Sequence, residues 1–214
     1  MIQITHERTV VPASPGELES ARQWFCAHGY VKLRGLIEPR LLASLLDAID
    51  RSEFRHRVHD GIGTELCAEG SASTALEFLM NDPTLVATVS TMTECGPIGC
   101  FEGRVYRLVP ESGHYDSWHS DVGQDRLVAL SINLGRVPYE GGRLQIRRAE
   151  DKVMLGEIEN RTAGDAVMFR VHPTLRHRVG PLEGKVPRTA YAGWFRAQPN
   201  FRDLLRERLS RGGE

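Results

Sequence analysis

The sequence predicts an α+β fold, with helices in the first half and short strands closing into a sandwich or jelly roll in the second. Three observations predict it. Apolar residues recur at helical spacing through the N-terminal half, and from Gly99 onward they sit in short stretches separated by turn signals. No internal repeat, low-complexity tract or compositional shift marks a linker, so one domain is expected over 1–214. Helices first and strands later imply helices buttressing one sheet, and eight short strands on one core imply two sheets closed over each other.

Pro15-Gly16-Glu17 opens the first helix, in which Leu18, Ala21, Trp24 and Phe25 share a face, and His28-Gly29 ends it. Tyr30 to Leu33 alternates as a short strand. Pro39 stands where a helix start tolerates proline, ahead of the stripe Leu41, Leu42, Leu45, Leu46 and Ile49. A further helical stretch falls between Thr74 and Thr93, interrupted at Asp82-Pro83. Between them, Arg51 to Ser73 is polar and glycine-bearing without clear periodicity, and reads as a lid loop or a solvated connector. Strands are expected at Cys100–Leu108, Tyr115–Asp121, Leu127–Leu134, Arg143–Arg147, Val153–Glu157, Ala166–Val171, His177–Val179 and Thr189–Arg196, with Gly141-Gly142 as a turn. The division is then 1–95 as mainly helical support with the lid, 96–197 as the strand core, and 198–214 as a C-terminal helix.

Composition excludes several classes. The formal net charge of −1, with 26% charged residues, offers no electrostatic case for nucleic acid or an anionic membrane surface. Apolar runs such as Leu127-Val128-Ala129-Leu130 are far too short to span a bilayer, and Met1 to Pro15 has no signal-like apolar core. Cys26, Cys67, Cys95 and Cys100 lack Cys-x-x-Cys spacing and read as reduced thiols of a cytoplasmic protein.

The chemistry is concentrated in Trp118-His119-Ser120-Asp121. A His-x-Asp pair on an extended strand sends both side chains to one face, with Cβ atoms roughly 6–7 Å apart, so both can converge on one ion. One imidazole and one carboxylate are two legs of the 2-His-1-carboxylate triad that holds non-haem Fe(II) with open positions. His177 is the best third ligand; His172 competes, but it precedes Pro173 and follows Gly164-Asp165 too soon. His114 reads as a loop residue, structural or substrate-facing. Trp118 should face away from the pair by strand parity, and Trp194 and Phe195 read as core.

Several segments together resemble the iron(II)- and 2-oxoglutarate-dependent oxygenases, in their prolyl 4-hydroxylase-like and phytanoyl-CoA hydroxylase-like branches. These are Arg104-Val105-Tyr106-Arg107-Leu108, the His119-x-Asp121 pair, Tyr139-Glu140-Gly141-Gly142-Arg143-Leu144, Gly164-Asp165-Ala166-Val167-Met168-Phe169, and His177-Arg178-Val179 followed by Arg188 and Trp194-Phe195. Gly29-Tyr30-Val31 and Arg34-Gly35-Leu36 resemble the family's usual entry. The resemblance implies a double-stranded β-helix, with Fe(II), 2-oxoglutarate as cosubstrate and O2, and ascorbate as an optional addition. It also implies metal ligation by His119, Asp121 and His177, and cosubstrate binding by Arg188 and Tyr106. Iron must keep positions free for the 2-oxo acid and dioxygen, so only three protein ligands are allowed. A guanidinium fork suits the distal carboxylate of the cosubstrate. Tyr106 as a plain core aromatic stands beside Tyr106 as a cosubstrate ligand.

Two departures qualify the resemblance. Ala190 occupies the place of a frequent serine two residues after the anchoring arginine, leaving Thr189 or Tyr191 to supply a hydroxyl. Arg143 follows the double glycine where an acidic or neutral residue is frequent, and belongs on the outward face. The implied reaction is hydroxylation of an unactivated C–H bond of a small molecule, amino acid or peptidyl residue, with 2-oxoglutarate decarboxylated to succinate and CO2. The alternatives are a cupin-like binder or sensor, and a dioxygenase that does not use 2-oxoglutarate. Arg51, Arg55, His56, Arg57 and His59 are either a solvated basic segment or an attractant for an acidic substrate. No nucleic-acid or membrane partner is expected, and oligomeric state is unreadable.

Overall fold

A computed structural model describes residues 1–211. Five helices, α1 (Pro15–His28), α2 (Pro39–Asp50), α3 (Ser71–Met80), α4 (Pro83–Thr93) and α5 (Phe201–Arg211), accompany the described strands. The strands are β1 (Gln3–Ile4), β2 (Thr9–Val10), β3 (Tyr30–Leu33), β4 (Glu53–His59), β5 (Gly63–Glu69), β6 (Cys100–Leu108), β7 (Tyr115–Asp116) and β8 (Arg126–Asn133). They continue as β9 (Glu140–Gly141), β10 (Leu144–Arg148), β11 (Met154–Ile158), β12 (Ala166–Arg170), β13 (Leu175–Val179), β14 (Leu182–Glu183) and β15 (Arg188–Arg196).

Local sequence explains the helix ends. Ser14 caps α1 and exchanges hydrogen bonds with Glu17 (Ser14 N to Glu17 Oε2 2.8 Å, Glu17 N to Ser14 Oγ 3.3 Å), with Pro15 in the first turn. Gly29 stops the helix at φ 75°, a conformation that costs glycine little, and donates to the Phe25 carbonyl. Asp82 caps α4 through the amides of Thr84 and Leu85, and Pro83 follows it. The expected break at Asp82-Pro83 is therefore the junction of α3 and α4.

The main sheet is a curled antiparallel sheet in the order β3-β12-β8-β15-β6-β5-β4, and a smaller sheet runs β11-β10-β13. Together they form the jelly roll. Strand alternation divides the interior. Phe101 and Val105 of β6, Val128, Leu130 and Ile132 of β8, Met168 of β12, and Tyr191 and Phe195 of β15 pack toward Phe25, Leu45, Ile49, Leu76 and Val89 of the helices. Burying each such side chain stabilises the fold by about 1.5–3 kcal/mol. Their neighbours face the space between the sheets: Ala129, Val167 and Phe169 meet Leu144, Ile146 and Ile158, while Tyr106, Leu108 and Ala190 form a third group.

Two expectations fail, each for a physical reason. Residues 51–73 are not a loop: β4 and β5 form a hairpin at the sheet edge, with β5 joined to β6. Its outer strand is solvated on most positions, so no apolar face announces it. Tyr115–Asp121 is not one continuous strand either. Tyr115 and Asp116 pair with β5, and three residues later His119 pairs with His177 of β13. The chain thus crosses from the large sheet to the small one. The C-terminal helix begins at Phe201, and residues 212–214 of the expected element lie outside the described residues. No helix among the described residues is long and apolar enough to cross a membrane.

Candidate metal centre

His119 and His177 are brought face to face by the backbone. They form an isolated antiparallel bridge in which each N–H donates to the other's carbonyl (3.1 and 3.0 Å). A directly opposed pair puts both side chains on one face of the sheet, and the ring centroids lie 4.3 Å apart. Asp121 follows two residues on: its Oδ2 is 3.1 Å from His177 Nε2 and its Oδ1 is 3.6 Å from His119 Nε2. One ligand atom from each of the three lies within 4.8 Å of the others, a spacing that a single ion can bridge.

Surrounding groups fix these donors. His119 Nδ1 lies 2.7 Å from the Ser117 carbonyl, which calls for a proton on that nitrogen and leaves Nε2 as the free donor. Trp194 Nε1 donates to Asp121 Oδ2 at 2.7 Å. Burial alone would raise the Asp121 carboxyl, but the hydrogen bond and charge of His177, with Trp194 and His119, hold it down to about 2. Asp121 is thus a carboxylate throughout the neutral range. Burial pushes the nearby Asp116 carboxyl up; its Oδ2 accepts from the Val179 amide at 2.7 Å.

Arg188 lies in the same cavity, only 3% exposed. Its partners are neutral: Nη1 donates to the Tyr106 hydroxyl, Nε to Tyr139 Oη (3.3 Å) and Nη2 to Ser131 Oγ (3.1 Å). Burial opposes its charge, yet the groups around it raise its pKa above the usual value, so it stays a cation. No acid lies within ion-pair distance of it among the described residues. Tyr139 spends its own proton on the Asn160 carbonyl (2.8 Å). No hydrogen bond among the described residues uses the protons of Tyr106 and Ser131. A guanidinium bonded only to neutral hydroxyls and two hydroxyl protons without an acceptor therefore converge among the described residues, a set that fits a carboxylate.

Ser131, on β8, stands where the sequence left Ala190 unexplained. Thr189 and Tyr191 are unsuited by strand parity: Thr189 accepts from Arg107 Nε (2.9 Å), and Tyr191 packs on Phe101 in the helix-side core. Gly142 makes the space. At φ 58° it needs glycine, and a Cβ there would meet Leu182 Cδ2 at 2.7 Å, Tyr139 Cε2 at 3.0 Å and Arg188 Cδ at 3.3 Å. Gly142→Ala is expected to cost about 2 kcal/mol or more in urea unfolding, from backbone strain and overpacking together. A midpoint equal to wild type would show that this corner is not tightly packed.

The cavity has a volume of about 320 Å³, and Leu144, Ile158, Val167 and Phe169 supply apolar wall. Glu65 also lines it, accepting from Arg104 Nε (2.6 Å) and lying 2.8 Å from His59 Nε2. Burial pushes the Glu65 carboxyl up, but the charge and hydrogen bond of Arg104, with His59 and Cys67, bring it below the usual range. A carboxylate lowered by folding contributes stability that is full above its unfolded value, about 4.3, and lost as pH falls through the folded one. Unfolding stability is expected to decline below about pH 5, and Glu65→Gln should flatten part of that decline. An unaltered profile in denaturant titrations would deny Glu65 this role.

Other sequence-derived candidates lie elsewhere. His172 is exposed and engages Thr174, outside the cavity. His114 accepts from the Val109 amide (3.1 Å) and closes its own loop. Trp118 sits between the guanidiniums of Arg147 and Arg178 (4.0 and 4.7 Å to the ring centroid), and Arg143 pairs outwardly with Glu159 and Glu157. Within the basic segment, Arg57 and His59 line the cavity, and Arg55 pairs with Glu69. Trp194, expected in the core, instead holds Asp121. Nothing in its local pattern signals this, because the contact exists only once β15 lies beside the 117–121 segment.

The sequence model of the 2OG-Fe(II) oxygenase superfamily matches residues 103–196, which contain His119, Asp121, His177 and Arg188. No curated protein sequence matches the chain. Among solved structures it is similar to a Pseudomonas putida prolyl-4-hydroxylase, with 22% identity, TM-score 0.66, and 85% of this chain and 99% of that one covered. It is also similar to a 2OG-Fe(II) oxygenase family oxidoreductase from Burkholderia pseudomallei (14%, TM-score 0.63, 94% and 98% covered). A third is the non-heme alpha-ketoglutarate-dependent epimerase SnoN from nogalamycin biosynthesis (16%, TM-score 0.66, 86% and 84% covered). At these identities the structural likeness speaks for the fold alone. Residues 103–196 thus match the model of the 2OG-Fe(II) oxygenase superfamily, and the jelly roll is the fold these neighbours share.

Proposed function

We propose that the protein is an Fe(II)- and 2-oxoglutarate-dependent hydroxylase, with His119, Asp121 and His177 as metal ligands and Arg188 as the anchor of the cosubstrate. One observation carries the reading: a two-histidine, one-carboxylate group shares a cavity with a buried guanidinium that has no acid within ion-pair distance among the described residues. That donor set suits Fe(II) with open positions. The bound metal supplies oxidative chemistry: 2-oxoglutarate, O2 and a C–H substrate give succinate, CO2 and the hydroxylated product, each organic reactant giving up two electrons.

The chain's residues supply placement. The Ser117 carbonyl and the Trp194 indole fix the donor atoms of His119 and Asp121 before any ion arrives. Arg188, with the hydroxyl protons of Tyr106 and Ser131, receives the distal carboxylate of 2-oxoglutarate and so directs its other end toward the triad. Leu144, Ile158, Val167 and Phe169 keep water from the reacting centre. The substrate is a small molecule, an amino acid or a peptidyl residue. The test is release of CO2 from 2-oxoglutarate labelled at C1, with succinate formed in equal amount and both dependent on Fe(II) and O2. Iron-loaded protein that releases neither product would end this reading.

A further inference from the structure

One wall of the cavity is basic, and cosubstrate anchoring at Arg188 leaves it unused. Arg57, Arg104 and Arg126 line it with Glu65, which Arg104 already engages, and Asp121, which lies near Arg126. Among the described residues the acid within ion-pair distance of Arg126 is Asp121, which His177 and Trp194 already engage. The Arg126 guanidinium lies 3.7 Å from the centroid of the Trp194 ring, its Nη2 reaches only Gln124 Oε1 (3.0 Å), and its buried Nε has no hydrogen-bond partner. Asp121 Oδ1 is 3.8 Å from Arg126 Nη1, within ion-pair reach but too far for a hydrogen bond. Arg104 stands 5.8 Å from the same indole, close enough for the two guanidiniums to repel. Two cations thus flank one aromatic ring next to the triad, and Arg126, half-buried, has only a shared and distant carboxylate to offset its charge.

Both carboxylates beside these arginines, Glu65 and Asp121, are already engaged, so the wall can take a further anion, and a planar carboxylate matches the guanidinium fork. Size narrows the choice. A cavity of about 320 Å³ is at the low end for ligand pockets and must also accept 2-oxoglutarate, so the remaining space suits a small molecule.

Building on the hydroxylase reading, we propose that Arg126, with Arg104 beside it, binds the carboxylate of a small carboxylic-acid substrate and so selects the C–H bond presented to the triad. The test begins with protein loaded anaerobically with redox-inert Zn(II) and 2-oxoglutarate. It is titrated by calorimetry with free L-amino acids and three- to eight-carbon carboxylic acids, each beside its carboxamide. At least one acid is expected to bind about 30-fold more tightly than its amide. Arg126→Gln should remove that preference, Arg126→Lys should restore part of it, and the same acid should stimulate 2-oxoglutarate consumption by the Fe(II) enzyme. The inference is overturned if no acid outbinds its amide, or if the preference survives both Arg126→Gln and Arg104→Gln. Failure of the wild type to bind 2-oxoglutarate in the loading step would instead remove the hydroxylase reading on which the proposal rests.

Discussion

Asp121→Ala is expected to abolish Fe(II)-dependent turnover and to weaken metal binding by at least about 1,000-fold, while the protein stays folded. Loss of groups that merely orient ligands costs roughly 10–100-fold, so loss of a ligand should cost more. Two imidazoles would remain, without the charge that offsets the divalent ion. The fold should survive because Asp121 sits at the cavity and not in the apolar core; its removal leaves one indole N–H unpaired, a cost of about 1–3 kcal/mol. Asp121→Asn is the sharper variant: it can keep an oxygen for Trp194 while discarding the negative charge. Both variants, and His119→Ala, should show far-ultraviolet circular dichroism like the wild type and no metal in equilibrium dialysis. Stoichiometric, tight Fe(II) in all three would place the metal elsewhere.

Arg188→Ala is expected to raise the 2-oxoglutarate concentration needed for half-saturation by roughly 100-fold or more, with Fe(II) binding affected far less. Two charge-assisted hydrogen bonds of about 1.5–3 kcal/mol each are lost, and every 1.4 kcal/mol is tenfold. Stability gives a second readout. In wild type, 2-oxoglutarate binds only the folded state and should raise the melting temperature by mass action; in Arg188→Ala at the same concentration it should not. The unliganded variant should lose little stability, because a buried cation among neutral hydroxyls is not a strong stabilising element. An unchanged 2-oxoglutarate requirement would move the anchor to another cation.

Much of this arrangement was legible in the sequence because it rests on short-range signals. Helix ends follow local chemistry at Ser14, Gly29, Asp82 and Pro83, and β6 and β3 have the bounds that alternation predicts. The His119-x-Asp121 spacing and the downstream His177 and Arg188 point to residues that share one cavity. What escaped depends on contacts between distant segments. The β4–β5 hairpin takes its strand character from pairing with β6 and β7, since its outer strand has little apolar face of its own. Ser131 and Tyr139 reach Arg188 only because β8 and the turn at Gly142 lie beside β15. Trp194 looks like any apolar strand residue until its indole N–H meets Asp121, and Arg126 looks like an ordinary surface charge until it lies over that indole.

One cavity is proposed to bind Fe(II) through His119, Asp121 and His177 and 2-oxoglutarate through Arg188. Anaerobic titration of the Fe(II)-loaded protein with 2-oxoglutarate, followed through the visible metal-to-ligand charge-transfer band, tests both halves at once. A saturable band is expected in the wild type, with loss in His177→Ala and Asp121→Ala, and appearance only at much higher 2-oxoglutarate in Arg188→Ala. Bound iron with no band in the wild type, or a band untouched by these substitutions, would contradict that proposal.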